Sequence, residues 1–389
     1  MTKRINYELG ELLVYEQPTS YIVESTDYDD SYKTPVLTAG KSFILGYTKE
    51  QTGIFDKLPV IIFDDFTTAT QFVNFPFKVK SSAMKILHIN TSVVSPKYIF
   101  YRMQIIQFDH STHKRYWIQQ YSRIKVSIPP LSEQERIVSR IEELFSQLDA
   151  GVETLKKTKA QLAVYRQAVL KEAFEGLLTA SGPEKVVRLG DYIETPRYGT
   201  SKKCSYDDGR DRIAVYRIPN IEHKKGRISH DNIKYAQFSE SELDGIRLRQ
   251  GDILIIRSNG SVSLVGRAAM VCHADITGTF AGYLMRLRIL EPETLLPKFL
   301  LLFLQSHQAR IYIENKAKST SGVHNINSAE ISDLQIPLYD PGMQYSIIEA
   351  VESRISVCDS IEQTVDIALQ QAEAMRQCIL KQAFEGRLE

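Results

Sequence analysis

The second half of the chain repeats the first half, and each half ends in nearly the same helical sequence. Residues 161–176 read QLAVYRQAVLKEAFEG and residues 371–386 read QAEAMRQCILKQAFEG. The offset of 210 residues extends back to Gln134 and Gln344, and 15 of the 43 aligned positions are identical. A chain built twice must place two copies of one structure, which constrains its fold more than any single motif does.

Each repeat contains a long stretch in which apolar residues recur every three or four positions. This spacing predicts a coiled-coil seam, and each helix needs a partner because a lone helix of about 43 residues is unstable in water. Ser132 and Glu135 form a capping-box pattern, and Gly176 and Gly386 suit the helix ends. The predicted seam residues are Ile137, Ile141, Leu144, Leu148, Val152, Leu155, Leu162, Tyr165 and Val169, then Ile347, Val351, Ile355, Cys358, Ile361, Val365, Ala368, Ala372, Met375 and Ile379.

The rest of the chain consists of two segments with a shared plan of strands and a proline-initiated helix. Alternation at residues 283–288 predicts a half-exposed strand. Leu9-Gly10-Glu11 and Leu189-Gly190-Asp191 begin the two segments alike. The matching elements are strands at 60–63, 85–89 and 124–128 and a helix from Pro96, then strands at 252–256 and 283–288 and a helix from Pro297.

The fold class predicted from these patterns is α+β, with two mixed α/β domains and two long helices that separate them. We divide the chain into a first globular region, a first helical region, a second globular region and a second helical region. Their boundaries are 1–127, 128–179, 180–335 and 336–389.

Positive charge lies on the globular regions and negative charge on the helical ones. Region 1–127 has 15 Lys and Arg against 12 Asp and Glu, and region 180–335 has 22 against 18. The helical regions have 7 against 8 and 4 against 9. This fits a nucleic-acid partner for the globular regions, but such excesses are also ordinary for segments of this length.

The cysteines show no CxxC spacing and no neighbouring His cluster, which indicates free thiols in a reducing cytoplasm and no structural zinc site. No apolar run of about 18 residues is present, so we expect no membrane span. The first residues, MTKRINYELG, lack the apolar stretch of a signal peptide. We therefore expect a cytoplasmic protein.

Signatures of catalysis are absent from the sequence. It contains no GxxxxGK[ST] phosphate loop, no GxGxxG after a strand and no GxSxG elbow. Its one Pro-Pro, Pro129-Pro130, is not preceded by the Asn or Asp of adenine methyltransferase motifs. Asp64-Asp65 resembles a metal-binding pair but lacks a following Glu-x-Lys. We expect no catalytic, cofactor or metal site in this chain.

Short polar residues in matching loops of the two globular regions suit contacts with DNA. Asn and Arg make bidentate contacts with adenine and guanine, Asp accepts from cytosine, and Ser, Thr and Lys suit phosphates. Any one of these residues is equally well explained as part of an exposed turn. The candidates are Thr38, Lys41, Asp64, Thr67, Lys80 and Ser81 in the first region, and Thr200, Ser201, Lys202, Asn220, Arg257, Ser258, Asn259, Ser261, Arg267, His324 and Asn325 in the second.

Repeated residues on the helices include polar positions that a simple brace between two domains would leave free to vary. We predict that these residues contact a partner protein, to which the chain offers an equivalent surface twice, once in each repeat. These residues are Arg166, Gln167, Lys171, Phe174, Arg376, Gln377, Lys381 and Phe384.

The chain resembles the specificity subunits of type I restriction-modification systems. The resemblance is carried by residues 128–134 (IPPLSEQ) and 171–176 (KEAFEG), with counterparts at 336–338, Gln344 and 381–386, and by 251–254 (GDIL) and 322–327 (GVHNIN). The second copy departs from the usual Pro-Pro-x-x-Glu-Gln form, since it reads PLYDPGMQ at 337–344.

This resemblance implies a bacterial or archaeal DNA-binding subunit without catalysis, which reads a bipartite, asymmetric site with two target recognition domains. It implies that the helices pack antiparallel and set the spacing of the half-sites. The implied partners are double-stranded DNA, two modification (methyltransferase) subunits and two restriction subunits, with S-adenosylmethionine, ATP and Mg on those subunits. The competing hypotheses are a self-contained DNA methyltransferase or nuclease with an unrecognised active site, and a structural coiled-coil protein.

Overall fold

The computed structural model describes residues 4–40, 42–110, 115–175, 182–320 and 322–388. These residues group into two compact units. Unit 1 comprises Met1–Lys156 and Asp366–Glu389, and unit 2 comprises Lys157–Val365. Each unit therefore combines one globular part with segments of both long helices.

The globular part of unit 1 contains three sets of paired strands. Strand β1 pairs antiparallel with β9, a four-stranded sheet has the order β2-β8-β5-β6, and a three-stranded sheet has the order β4-β3-β7. The strands are β1 Ile5–Glu8, β2 Leu13–Glu16, β3 Thr34–Leu37, β4 Ile44–Thr48, β5 Val60–Asp64, β6 Thr70–Val73, β7 Lys78–Val79, β8 Met84–Ile89 and β9 Lys125–Ile128. The short helices are α1 Leu9–Leu12, α2 Pro96–Met103 and α3 Tyr116–Gln119, and the first long helix is α4 Leu131–Phe174.

Strand β5 shows why unit 1 needs a continuous apolar run. Ile61 and Phe63 enter one buried cluster with Trp117, while Val60 and Ile62 enter a second cluster on the other face. Because successive strand residues point to opposite faces, a sheet covered on both faces requires apolar residues at every position.

The globular part of unit 2 has a larger sheet of order β11-β20-β16-β18-β14-β13, two three-stranded sheets and the pair β10-β23. The strands are β10 Lys185–Arg188, β11 Arg197–Tyr198, β12 Arg212–Tyr216, β13 Ile221–Glu222, β14 Arg227–Ile228, β15 Lys234–Gln237, β16 Ile253–Ile256, β17 Ser258–Asn259, β18 Ala268–Met270, β19 Thr279–Phe280, β20 Leu284–Leu287, β21 Lys318–Thr320, β22 Val323–Asn325 and β23 Gln335–Leu338. The helices are α5 Glu240–Asp244, α6 Pro297–Gln305, α7 His307–Lys316, α8 Ser328–Ser332 and the second long helix, α9 Pro341–Phe384.

Strand β20 is buried along its whole length, so the prediction of a half-exposed strand at 283–288 is wrong there. Met285 and Leu287 pack in one cluster and Leu284 in another, because this sheet too is covered on both faces. Arg286 fits into the interior because its guanidinium donates to the backbone oxygen of Arg247 at 2.9 Å.

The repeated Leu-Gly-acid motif makes the same close contact in both units. The amide of Leu9 donates to the oxygen of Ile124 at 3.0 Å, and that of Leu189 donates to the oxygen of Leu334 at 2.8 Å. A Cβ at Gly10 would lie 3.3 Å from Ser122, and one at Gly190 would lie 2.8 Å from Ser332. Gly10 permits the segment after β1 to approach the segment before β9. Gly190 does the same for the segments after β10 and before β23.

Both long helices have 44 residues, and they run antiparallel within each unit. In unit 1, Ile141 of α4 packs with Leu380 and Ala383 of α9. Helix α4 begins at Leu131, so the predicted cap Ser132 lies inside its first turn. The predicted seam residues Tyr165, Ile361 and Met375 are exposed, so the seam is narrower than predicted. Gly386 has the left-handed φ of +72° expected after a helix, and Gly176 lies outside the described residues.

A buried glutamine joins the start of α4 to the loop before α2. The Oε1 atom of Gln134 accepts from the amide of Ser95 at 2.7 Å. Its Nε2 atom donates to the oxygens of Val93 at 3.1 Å and Pro129 at 2.8 Å. Gln134 is 0% exposed, so water does not compete for these hydrogen bonds.

Gln344 makes the same three hydrogen bonds at the start of α9. Its Oε1 atom accepts from the amide of Leu296 at 2.9 Å. Its Nε2 atom donates to the oxygens of Thr294 and Tyr339, each at 2.8 Å. The repeated glutamine therefore attaches each long helix to its own globular part.

We predict that Gln134→Leu lowers the free energy of unfolding of unit 1 by about 2 kcal/mol or more, because one buried and two partly buried hydrogen bonds to the backbone are lost, and a fully buried group without a partner costs about 1–3 kcal/mol. Urea unfolding of the full chain measures this change. Gln167→Leu, the same substitution at an exposed helix position, is the matched control. A loss at Gln134 no larger than the control's would contradict the prediction.

Candidate functional site

Strand pairing brings together several of the predicted DNA contacts of unit 2. In the ladder between β17 and β22, Ser258 lies opposite Asn325 and Asn259 lies opposite His324. The Oδ1 atom of Asn259 accepts from the amide of Ser261 at 2.9 Å, which shapes the turn after β17. Strand β17 lies beside the hairpin that β21 and β22 form, and we call these five residues together the reading hairpin.

Arg257 links the reading hairpin to the loop that contains Thr200. Its guanidinium stacks on the ring of Tyr198, with 4.3 Å between the guanidinium carbon and the ring centroid. It also donates to the oxygen of Gly282 at 3.1 Å. The amide of Thr200 donates to the oxygen of Phe280 at 2.9 Å. The structure therefore places the predicted residues 200–202 beside Arg257.

Asn220 is fully buried, which corrects its interpretation as a base-reading residue. Its Oδ1 atom accepts from the amide of Arg217 at 3.0 Å. Its Nδ2 atom donates to the oxygens of Ser229 at 3.1 Å and Asp231 at 2.9 Å. With its amide group used inside the protein, Asn220 instead positions the loop that contains Arg217.

Two further candidates in unit 2 are constrained by internal contacts. The side chain of Ser258 is 5% exposed. Arg267 donates through Nε to the oxygen of Ser263 at 3.0 Å, and burial, followed by the charge of Arg310, lowers its pKa. Arg267 is thus partly buried and bonded to the backbone of Ser263. Ser261 is exposed, and its hydroxyl is bonded to the hydroxyl of Ser263.

In unit 1 the candidates from two loops lie near one another. The parallel pairing of β3 and β7 places Leu37 opposite Val79, and the amide of Lys80 donates to the oxygen of Leu37 at 3.1 Å. Thr38 and the exposed Lys80 are therefore neighbours. Ser81 follows Lys80 directly, whereas Lys41 lies outside the described residues.

The predicted candidates Asp64 and Thr67 belong to the turn after β5. The carboxylate of Asp64 accepts from the amides of Phe66 at 2.9 Å and Thr67 at 2.8 Å. The neighbouring Asp65 is buried, where it accepts from the amide of Trp117 at 2.8 Å. Thr67 is therefore exposed and available for contact. The carboxylate of Asp64, by contrast, is used to shape the turn, and Asp65 is buried.

The same two aspartates bear on the metal hypothesis. Lys85 lies 3.5 Å from the carboxylate of Asp65, and both side chains are almost completely buried. This pair leaves Asp65 with a cationic partner within the protein. Within the described ranges, no group of three His, Cys, Asp or Glu residues is arranged to hold a metal ion.

Four of the predicted partner contacts on the long helices instead make packing or ion-pair contacts within their own unit. Phe174 packs edge-on against Phe299 and Phe303, with ring centroids 5.3 and 5.2 Å away, and Phe384 packs against Tyr98 at 5.2 Å. This corrects the prediction for the two phenylalanines, because two aromatic residues of α6 bury Phe174 and one aromatic residue of α2 packs on the partly buried Phe384.

The repeated arginines form ion pairs between the helices. In unit 2, Arg166 of α4 binds Asp359 of α9 at 2.7 Å and Glu362 at 2.8 Å. In unit 1 the helices exchange roles, and Arg376 of α9 binds Asp149 of α4. Burial alone would lower the pKa of Arg166, but Asp359 and Glu362 raise it. These arginines are therefore used for helix pairing.

The remaining predicted helix positions are exposed in both units. Gln167 and Lys171 lie on α4, and Gln377 and Lys381 occupy the equivalent positions on α9. Lys171 makes a long intrahelical ion pair with Glu175 at 3.9 Å. This repeated polar surface is open to a partner.

Sequence reasoning missed a cleft in unit 2 with a volume of about 570 Å³. Its lining includes Arg217, Lys234 and Tyr283 besides the predicted Thr200, Ser201 and Lys202. Arg217 directly follows β12, Lys234 is the first residue of β15, and neither belongs to a sequence motif. No sequence signal marks them, because the fold decides which charges lack a partner.

No helix in the described part of the chain is long and apolar enough to cross a membrane.

Comparisons with known proteins identify similar sequences. The family model described as Type I restriction modification DNA specificity domain matches residues 5–163. The EcoR124I/EcoR124II specificity subunit from Escherichia coli is 33% identical over 372 residues, which cover 91% of this chain and 87% of that protein. The EcoKI specificity subunit from Escherichia coli strain K12 is 29% identical over 279 residues, which cover 69% of this chain and 58% of that protein.

Two solved structures share the fold. One chain, from work on complex assembly and conformational transition of the type I R-M system, has a TM-score of 0.73 at 16% identity and covers 100% of this chain and 99% of its own length. The HsdS subunit from Thermoanaerobacter tengcongensis has a TM-score of 0.53 at 16% identity, with coverage of 99% and 97%. The fold class predicted from the sequence is confirmed by these similarities.

We predict a coupling energy of about 0.5–1 kcal/mol between Arg166 and Asp359, because the pair is partly exposed but belongs to a charge network with Glu362 and Lys159. A double-mutant cycle with Arg166→Ala and Asp359→Ala, read by urea unfolding, measures it. The exposed pair Lys171 and Glu175 is the control, with an expected coupling of about 0.3 kcal/mol. Equal couplings for both pairs would show that helix pairing does not depend on the repeated arginine.

Proposed function

The chain belongs to the specificity subunits of type I restriction-modification enzymes, and we propose that it reads a bipartite, asymmetric DNA site with one half-site for each globular part. Specificity subunits are the recognition components of these enzymes rather than the catalytic ones. The proposed target recognition domains are regions 1–127 and 180–335, and the proposed spacers are regions 128–179 and 336–389. The family assignment made from the sequence is confirmed.

The observation that carries this proposal is that two globular parts with different loops are attached in the same way to two equivalent long helices. Gln134 and Gln344 make matching hydrogen bonds at the two helix starts. The exposed loops that follow the buried strands differ between the units, since one has Thr67 and Lys80 and the other has the reading hairpin. Two equivalent scaffolds with different loops suit two readers of different sequences.

The chemistry of the reading hairpin and Arg257 supports readout of base edges. Arg257 donates in a planar fork that matches guanine O6 and N7, and an Asn side chain matches adenine N6 and N7. Stacking on Tyr198 restrains the Arg257 guanidinium before DNA binds, which lowers the entropy cost of placing it. Thr200 and Ser201 on the adjacent loop are suited to phosphate contacts.

We further propose that the twin polar surfaces of the helices each bind one modification subunit. Gln167 and Lys171 form one surface, and Gln377 and Lys381 form the other. The solved structure with the higher TM-score given above comes from work on complex assembly of the type I R-M system. In this proposal S-adenosylmethionine serves the modification subunits, while ATP and Mg serve two restriction subunits.

The competing enzyme hypothesis is not favoured by any observation in the site. Asp64 caps its own turn and Asp65 pairs with Lys85, so neither aspartate is left to act on a substrate or a metal. Calorimetric titration of the isolated chain with S-adenosylmethionine tests this hypothesis directly, because stoichiometric binding would favour it.

We predict that Arg257→Ala and Asn259→Ala relax specificity only in the half-site read by unit 2, at about 1–3 kcal/mol per lost bidentate contact. Methylome sequencing of cells that express each variant with the modification subunit measures the preference at every base. Lys80→Ala in unit 1 is the reciprocal control. Losses spread evenly over both half-sites would overturn the assignment of one half-site to each unit.

We predict that the long helices determine the spacing between half-sites. Deleting residues 151–154 from α4 and the equivalent 361–364 from α9 shortens each helix by about 6 Å, which corresponds to about two base pairs of the unspecified spacer. The same methylome measurement reports the spacing. Replacing these residues by alanine without deletion is the control, and an unchanged spacer in the deletion variant would count against the helices as a ruler.

A further inference from the structure

The cleft in unit 2 carries cations that no carboxylate neutralises. Lys202, at one side of it, pairs with Glu242 at 2.7 Å. Arg217 and Lys234, by contrast, have no ion pair with an Asp or Glu among the residues that the structure describes. Two unpaired positive charges that share a concave surface attract an anion more strongly than the same charges paired on a flat surface.

The two cations face the same interior space. Arg217, Lys234 and Cys204 all line this one cleft. Burial raises the pKa of the Cys204 thiol, and the charges of Arg217 and Lys234 act in the opposite direction. The two side chains therefore contribute positive charge to the same concave surface.

Arg217 is held in position but keeps donor capacity. Buried Asn220 accepts from its backbone amide, and its Nη2 atom donates to the oxygen of Asn232 at 2.6 Å. Its Nε atom is buried and has no hydrogen-bond partner in the described residues. A guanidinium anchored at one nitrogen can bind an anion without a large loss of conformational entropy.

Lys234 projects from β15, which pairs with β12 directly before Arg217. Its ammonium lies 4.7 Å from the ring centroid of exposed Tyr206, and Tyr283 at the cleft is 63% exposed. Arg, Lys and Tyr are among the side chains that contact the phosphates and sugars of duplex DNA.

The cleft is continuous with the proposed base-reading surface. Gly282 and Tyr283 line the cleft. Arg257 donates to the oxygen of Gly282 through its side chain and to the oxygen of Tyr283 through its amide, at 3.1 and 3.0 Å. A DNA strand read by the hairpin would therefore pass the cleft with its next phosphates.

We propose that this cleft is a phosphate clamp, in which Arg217 and Lys234 bind the DNA backbone beside the half-site read by unit 2. The inference rests on the proposed function and adds to it a sequence-independent contact. It separates two tasks within unit 2, since the reading hairpin selects bases while the clamp holds the duplex in register against it. Asn220 acts as the positioning residue of the clamp.

The test compares Arg217→Gln/Lys234→Gln with wild type in binding to a mixed-sequence duplex of about 40 base pairs, over a range of salt concentrations. Each lost phosphate contact makes the slope of log affinity against log salt shallower by about 0.9, so the double variant should be shallower by about 1.8. Between about 50 and 200 mM salt, wild type should then lose about tenfold more affinity than the variant.

Lys225→Gln/Arg227→Gln is the matched control, because it removes the same charge from two exposed residues that pair with Glu222. The clamp requires a wild-type-like slope in this control. Equal changes in both double variants would mean that only net charge matters. An unchanged slope in Arg217→Gln/Lys234→Gln, or a loss confined to one DNA sequence, would also overturn the clamp.

Alkylation of wild type by N-ethylmaleimide provides a second measurement that requires no substitution. Bound duplex should slow modification of Cys204 severalfold, while exposed Cys378 on α9 serves as the internal reference. Full reactivity of Cys204 in the DNA complex would overturn the clamp alone. A wild-type chain that binds the duplex without salt dependence, or not at all, would instead overturn the proposed DNA-reading function.

Discussion

The hydrogen bonds of one buried glutamine at the start of each long helix determine how the rest of each unit is built. Gln134 and Gln344 bind three backbone groups from two separate segments, and both are completely buried. No shorter side chain spans these groups, and no apolar one satisfies them. This contact attaches the start of each long helix to the globular part of its own unit.

The second constraint is the pairing of helix segments that are distant in the chain. Unit 1 is completed by Asp366–Glu389, and unit 2 contains segments of both helices. The Arg-to-Asp contact is made once in each unit, with α4 and α9 exchanging roles. A partly exposed ion pair contributes little to stability on its own. Its repeated use at equivalent positions gives each antiparallel pair the same register, which a purely apolar seam would leave less well defined.

Binding of DNA and of partner proteins then depends on residues that are not occupied in packing the helices. The repeated phenylalanines and arginines are occupied in packing, so the outward polar positions Gln167 and Lys171, with their counterparts on α9, are what a partner would meet. The loops carry the difference between the units. Hydrophobic burial on both sheet faces holds the loop ends rigidly, and this rigidity is what a base-reading side chain such as Arg257 needs.

Several features were predictable from the sequence because they depend on local patterns. Heptad spacing predicted two long helices, apolar runs predicted the buried strands at Val60–Asp64 and Ile253–Ile256, and repeated motifs predicted the family. The partner assignments of Phe174 and Phe384 failed because repetition marks a residue as constrained but does not say what constrains it. Asn220 looked like a base reader by residue type, and only its three internal hydrogen bonds reveal a positioning role.

The sequence by itself determined the duplicated plan, the two long helices and the lack of recognised catalytic motifs. Each of these is recognised from a short stretch of residues or from the repetition of such a stretch. Only the tertiary structure decided which polar residues remain available to DNA. Arg217 and Lys234 line the same cleft because strands β12 and β15 pair, and no local pattern records which charges a fold leaves without a partner.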